Sequence, residues 1–215
     1  MIGLLITHVF VHDSLGVWDR HVSLWFDHGR SARWNRISGD VTNLASKYDI
    51  AGVALVGTAV ALLRRWGPHG FLLLAGLAAE LSLFLVVNAI IARPRPAVVH
   101  LGGTAPTYSF PSGHTAAAFV IYGGIALMVA VGLRRWWVSF IVWTLALAIT
   151  VAVAWSRVYR GEHYPTDVIS GFLLGVGSLV AAVFIIRVAG VNKTLHSKSP
   201  KASMSPQDNS GTEPT

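Results

Sequence analysis

Five apolar runs, at residues 50–66, 69–91, 112–133, 136–155 and 168–189, govern what this chain can fold into. Crossing about 30 Å of hydrocarbon takes roughly 17 to 25 helical residues, and each run reaches or approaches that length. In a bilayer every backbone N–H and C=O needs an internal partner, which restricts spanning segments to helices or closed barrels. The runs lack the two-residue alternation of barrel strands. They therefore predict an all-α fold, an integral membrane bundle of five to six transmembrane helices. Composition agrees, since 53% of the 215 residues are hydrophobic and only 13% are charged, more apolar than an ordinary soluble domain.

The flanks read differently. Residues 1–49 are expected to hold a short apolar segment, Met1 to Val11, and an interfacial amphipathic region. The first is too short to span and lacks the basic start and small-residue cleavage site of a signal peptide; it reads as the remnant of a first helix. In the second, Leu15, Trp18, Val22, Trp25 and Phe26 recur near helical spacing between Asp19, Arg20, His21 and Asp27, the pattern of a helix lying in the membrane interface. Residues 50–189 form the transmembrane core. In 190–215 the chain turns to Lys, Ser, Pro, Asp, Asn and Thr, with too little apolar surface to fold, so a disordered tail is expected.

Charge sets the topology. The net charge is +7, but the basic residues stand in short doublets between spans rather than in one run, which argues against nucleic-acid binding. Arg64 with Arg65, Arg134 with Arg135, and Arg187 with the lysines after it fall on one side when spans are counted. By the positive-inside rule that side is cytoplasmic. The expected location is the plasma membrane, with the tail cytoplasmic and loops 92–111 and 156–167 together on the extracytoplasmic face. Trp66, Trp136 and Trp137 beside the doublets read as headgroup anchors.

Those two loops carry the chemistry. With no cysteine in the chain, thiol chemistry is excluded. The first loop opens with Arg93, Pro94, Arg95 and Pro96 and returns through Pro111, Ser112, Gly113 and His114, where a helix N-terminus offers free N–H groups to an anion. The second holds Ser156, Arg157, His163 and Asp167. If the next helix starts near Pro165, Asp167 lies close enough to hold one imidazole nitrogen of His163 and leave the other free to attack. Arginines, a hydroxyl, backbone donors and two histidines suit a tetrahedral oxyanion. His163 with Asp167 alone could be half of a metal site, but clustered arginines would repel a divalent cation.

In order and spacing these residues resemble the type-2 phosphatidic acid phosphatase superfamily. Its first motif, Lys, six residues, Arg, Pro, corresponds to Asn88 through Pro96. The second, Pro-Ser-Gly-His, is Pro111 to His114, and the third, Ser-Arg, five residues, His, three residues, Asp, is Ser156 to Asp167. The resemblance implies phosphate binding by Arg95, Ser112, Gly113 and Arg157, with His114 as the acid, His163 as the nucleophile and Asp167 as its orienter. It implies no metal and no cofactor. Asn88 replaces the family lysine and can donate a hydrogen bond without charge; it and Arg93 join the candidate substrate-binding residues. The implied substrate is a lipid phosphate or diphosphate. A polyprenyl diphosphate leads, with phosphatidate or phosphatidylglycerol phosphate as the alternative. The vanadium-dependent haloperoxidases share the motifs but are soluble, and a lipid or anion transporter would not need the two histidines with Asp167. Glu80, mid-span, is a functional candidate, though a polar contact within the bundle is the plainer reading. Gly171 and Gly175 predict close helix packing.

Overall fold

The computed structural model describes residues 14–103 and 106–198, and within them the apolar runs are helices. In chain order these are α1 (Ser14–His28), α2 (Ala32–Asn43), α3 (Lys47–Leu63), a 3₁₀ turn at Gly67–Phe71, α4 (Leu72–Ile91), α5 (Gly113–Leu133, π-helical over Phe119–Gly123), α6 (Trp136–Tyr159) and α7 (Pro165–Lys198). Four stretches are each long and apolar enough to cross a membrane: His69–Ile91, Gly113–Leu133, Trp136–Tyr159 and Pro165–Val188. α2 and α3 make a fifth span if taken together across a 41° bend. The fold is thus an all-helical membrane bundle, with four to five spans among the described residues. The Met1–Val11 segment and the tail from residue 199 lie outside the described residues.

Two boundaries differ from the sequence reading. Residues 32–43 form a helix of their own, capped by Ser31, whose side chain accepts from the Trp34 N–H. With Arg33, Asn35, Arg36 and Asp40 this helix is too polar to register as a span. It is held instead by polar bonds to the end of α6, where the Tyr159 hydroxyl donates to Asn35 Oδ1 at 2.9 Å. At the other end, α7 runs to Lys198, past Gly190 where the composition changes. A helix already nucleated extends at one hydrogen bond per residue fixed, and the first proline to oppose it is Pro200.

α1 is the helix expected at the interface, with an informative polarity. Gly16, Asp19 and Ser23 are its buried residues, while Trp18 and Trp25 are exposed. The small and polar stripe therefore faces the protein and the large apolar residues face outward. The same inversion holds around the bundle, where Leu85, Ile90, Phe140, Val151, Leu173 and Phe184 are each more than half exposed, as lipid-facing positions should be.

The packing that positions the functional end is the contact of α7 with the start of α5. A Cβ on Gly171 would collide with the Ser112 carbonyl, and one on Gly175 would lie 2.7 Å from the Ala116 carbonyl oxygen. The two glycines thus let α7 approach the α5 backbone, as the small-xxx-small spacing predicts. Gly171→Ala should destabilise the protein by about 1–3 kcal/mol through overpacking. Gly177→Ala, with nothing within 4 Å of its Cβ, should be neutral or stabilising by up to about 1 kcal/mol. Thermal unfolding of the two variants in detergent checks the contrast.

Candidate active site

The site lies where the 92–112 loop meets the turn between α6 and α7. α4 ends at Ile91, and its C-cap Ala92 turns the chain through a left-handed conformation (φ 47°) while donating its N–H to the Asn88 carbonyl. Arg93 is consequently carried into the protein. Its guanidinium pairs with Asp167 Oδ1 at 2.6 Å and Asp19 Oδ2 at 2.7 Å, and donates to the Thr166 hydroxyl at 2.8 Å. Burial opposes its charge, but the two carboxylates outweigh that and raise its pKa. The ring of Tyr164 lies 4.1 Å from the guanidinium carbon.

Asn88 is equally committed. Its amide donates to the Tyr108 and Phe110 carbonyls, at 3.0 and 2.9 Å, and accepts from the Tyr108 N–H at 3.2 Å. These three bonds tie the segment leading into Pro111 to the last turn of α4. Asn88 and Arg93 are thus engaged by protein groups and are not among the residues that line the cavity. In both cases the sequence shows the polar group but not the partners that saturate it.

The remaining candidates converge. Arg95, Gly113, His114, Arg157 and His163 line one cavity of 570 Å³. Arg95 donates to the Glu162 carbonyl at 2.7 Å and pairs with its carboxylate at 3.0 Å; burial lowers its pKa, with Glu162 opposing. Glu162 Oε2 also faces Arg157 at 3.7 Å, and Oε1 accepts from the Gly102 N–H at 2.9 Å. Arg157 donates to the Thr42 hydroxyl of α2 at 3.0 Å, while its buried Nε–H has no partner among the described residues. A buried donor left open beside a cavity is a place for a ligand oxygen. Ser112 is fully buried at the α5 N-cap, its hydroxyl 3.0 Å from that of Thr115.

His163 is held differently from the expectation. Its Nδ1 lies 2.6 Å from the Ser109 carbonyl and 3.8 Å from Asp167 Oδ2. A carbonyl only accepts, so Nδ1 carries the proton and Nε2 has the free lone pair. Asp167 is not the direct partner because its oxygens are already taken: Oδ1 by Arg93, and Oδ2 by the Ser109 hydroxyl and the Tyr164 N–H. It orients His163 through Ser109. Burial, with Arg157 and Arg95 acting in the same direction against Asp167, lowers the pKa of His163 below its ordinary value, leaving the imidazole neutral at pH 7.

Residues 69–190 match the PAP2 superfamily, more than half of the chain. The chain belongs to that superfamily. It is 33% identical over 150 residues to phosphatidylglycerophosphatase B of Bacillus subtilis, covering 66% of this chain and 70% of that one. It is 35% identical over 136 residues to the undecaprenyl-diphosphatase of Sulfolobus acidocaldarius, 60% of this chain and 62% of that one, so the match spans less than two thirds of that relative. The crystal structure of a transmembrane PAP2-type phosphatidylglycerolphosphate phosphatase from Bacillus subtilis superposes with a TM-score of 0.75 at 26% identity, over 90% of this chain and 94% of that one. The chain is accordingly an integral membrane protein with several transmembrane helices.

The PAP2 motifs locate the cavity but omit three residues that hold it together. Glu162, inside the third motif's variable stretch, bridges Arg95 and Arg157. Ser109, just before the second motif, links Asp167 to His163. Asp19, in α1 and outside every motif, accepts from the Thr166 N–H and hydroxyl at 3.1 and 2.5 Å as well as from Arg93. The inward stripe of Gly16, Asp19 and Ser23 was the available signal for Asp19. Removing it with Asp19→Ala leaves a buried arginine with one carboxylate in place of two and should cost about 3–5 kcal/mol. Thermal unfolding in detergent reads that loss, and Asp19→Glu should recover part of it.

Proposed function

We propose that this PAP2 protein is a lipid phosphatase, releasing phosphate from a membrane lipid phosphate or diphosphate through a phosphohistidine on His163, without a metal. The observation that carries this reading is the His163 imidazole, neutral and fixed through Nδ1, on the wall of a cavity shared with His114, Arg95 and Arg157. Nε2 attacks phosphorus in line, forming the N–P bond as the bond to the leaving oxygen breaks. His114, protonated once the anionic phosphate lies beside it, gives that oxygen a proton. Neutral His114 then takes a proton from water, which attacks phosphorus, breaks the N–P bond and frees phosphate.

Arg95, Arg157 and the N–H groups at the start of α5 offset the charge on the equatorial oxygens. Glu162 keeps the two guanidiniums on one side of the cavity. Among the described residues no three His, Asp or Glu side chains converge as metal ligands, and the cations facing the phosphate are guanidiniums. The apolar part of the cavity wall, formed by Ile50, Ala51, Leu77, Leu81 and Phe84, suits the lipid that carries the phosphate. The relatives named as an undecaprenyl-diphosphatase and a phosphatidylglycerophosphatase support this substrate class.

We place the cavity on the extracytoplasmic face. Arg64, Arg65, Arg134, Arg135 and Arg187 are exposed at the ends of the apolar spans away from it, and such an excess marks the cytoplasmic side.

The test is phosphate release by the purified protein in detergent with a chelator present. Release should persist in chelator and fall by at least about 10³-fold in His163→Ala, as for loss of an attacking group. Because only the neutral imidazole attacks and its pKa is lowered, the loss of activity on the acid side should come only as pH falls through that lowered value. The acid limb of kcat/KM should therefore lie below 6.5; a limb at or above 6.5 contradicts the assignment.

A further inference from the structure

Glu80 is a buried carboxyl that this chemistry leaves unused. It lies in α4 one turn before Phe84 and two before Asn88, on the face those residues share, and is 5% exposed. It has no hydrogen-bond or ion-pair partner among the described residues. The polar contact within the bundle suggested by its sequence position is therefore not made, since Asn88 is saturated by Tyr108 and Phe110. Glu80 faces the 570 Å³ cavity that also holds Arg95, His114, Arg157 and His163. Lys47 is on the same wall but makes no ion pair with it; its Nζ lies 4.9 Å from the Tyr48 ring.

Helix register gives the depth of this carboxyl. A Cβ on Gly113 would lie 3.1 Å from the Phe84 ring, so Phe84 is level with the start of α5 and the phosphate end of the cavity. One turn earlier, Glu80 sits about 5 Å further in, beside Leu77, Leu81, Ile50 and Ala51. Whatever follows the phosphate of a bound lipid meets it there. A chain that is hydrocarbon from its first carbon leaves the carboxyl dry and unpaired, which is unfavourable. A lipid with ester or hydroxyl oxygens a few bonds from its phosphorus pairs with it.

We propose that Glu80 is a specificity-determining residue that hydrogen-bonds the glycerol-backbone oxygens of a phosphoglycerolipid, selecting that class over polyprenyl phosphates. The inference rests on the lipid-phosphatase reading above.

The experiment compares dioleoyl phosphatidic acid with a polyprenyl monophosphate, so that the phosphate group is constant, using the full chain in micelles as wild type, Glu80→Gln and Glu80→Leu. The wild type should prefer phosphatidic acid. Glu80→Leu should lose about tenfold or more in kcat/KM on that lipid, the worth of one hydrogen bond and its desolvation, and stay within about twofold on the polyprenyl phosphate. Glu80→Gln, which still hydrogen-bonds, should retain most of the preference. Equal losses on both lipids, no change on either, or a wild type that prefers the polyprenyl phosphate would each overturn the proposal while sparing the phosphatase reading. Should Glu80→Leu not fold, Glu80→Ala carries the same expectations. A folded wild type that releases phosphate from neither lipid overturns the phosphatase reading and this inference with it.

Discussion

Everything at the functional end hangs on the guanidinium of Arg93 held between Asp19 and Asp167. The three side chains come from the loop after α4, from α1 and from the first turn of α7, and all three are almost fully buried. A buried charge is tolerated only when it is paired and its hydrogen-bonding capacity is used, and here each group is. Arg93 thereby fixes Asp167, and Asp167 fixes Ser109 through its second oxygen. Ser109 in turn receives the Nδ1–H of His163 and donates its own N–H to the Arg93 carbonyl at 2.8 Å. The tautomer of His163 is thus set at the end of a chain of contacts that begins in a helix outside the motifs.

Arg93, Arg95 and Arg157 divide into different roles. Arg93 is consumed by structure, while Arg95 and Arg157 remain at the cavity with Glu162 between them. One carboxylate facing two guanidiniums reduces their mutual repulsion without neutralising both, so net positive charge remains for an anion. Asn88, where the family motif has lysine, spends its amide on the segment before Pro111. The cavity itself is lined by two guanidiniums, Arg95 and Arg157, beside the start of α5.

The sequence reveals the spans because their apolar runs need no tertiary information, and it reveals His114, His163, Arg95 and Arg157 because motif spacing places them at helix ends on one face. It also anticipates the Gly171 and Gly175 approach. What it hides are pairings between segments far apart in the chain. Arg93 and Arg95 look alike two residues apart, yet one is buried against α1 and the other reaches the cavity, and only α1 decides which. Asp19 reads as one more polar residue on an amphipathic helix. α2 escapes notice because what holds it is the meeting of Asn35, Ser38 and Thr42 with the end of α6, a pairing of segments far apart in the chain. The boundary at Gly190 follows composition, whereas helix propagation carries the backbone further.

The central claim is that His163 Nε2 is the atom that takes the phosphoryl group. Rapid quenching of the enzyme during turnover of a ³²P-labelled lipid phosphate, followed by peptide mapping, tests it most directly. The account predicts an acid-labile, base-stable label on the peptide containing His163, absent from His163→Ala and present with chelator throughout. A label on Ser112, or one that survives in His163→Ala, would contradict it.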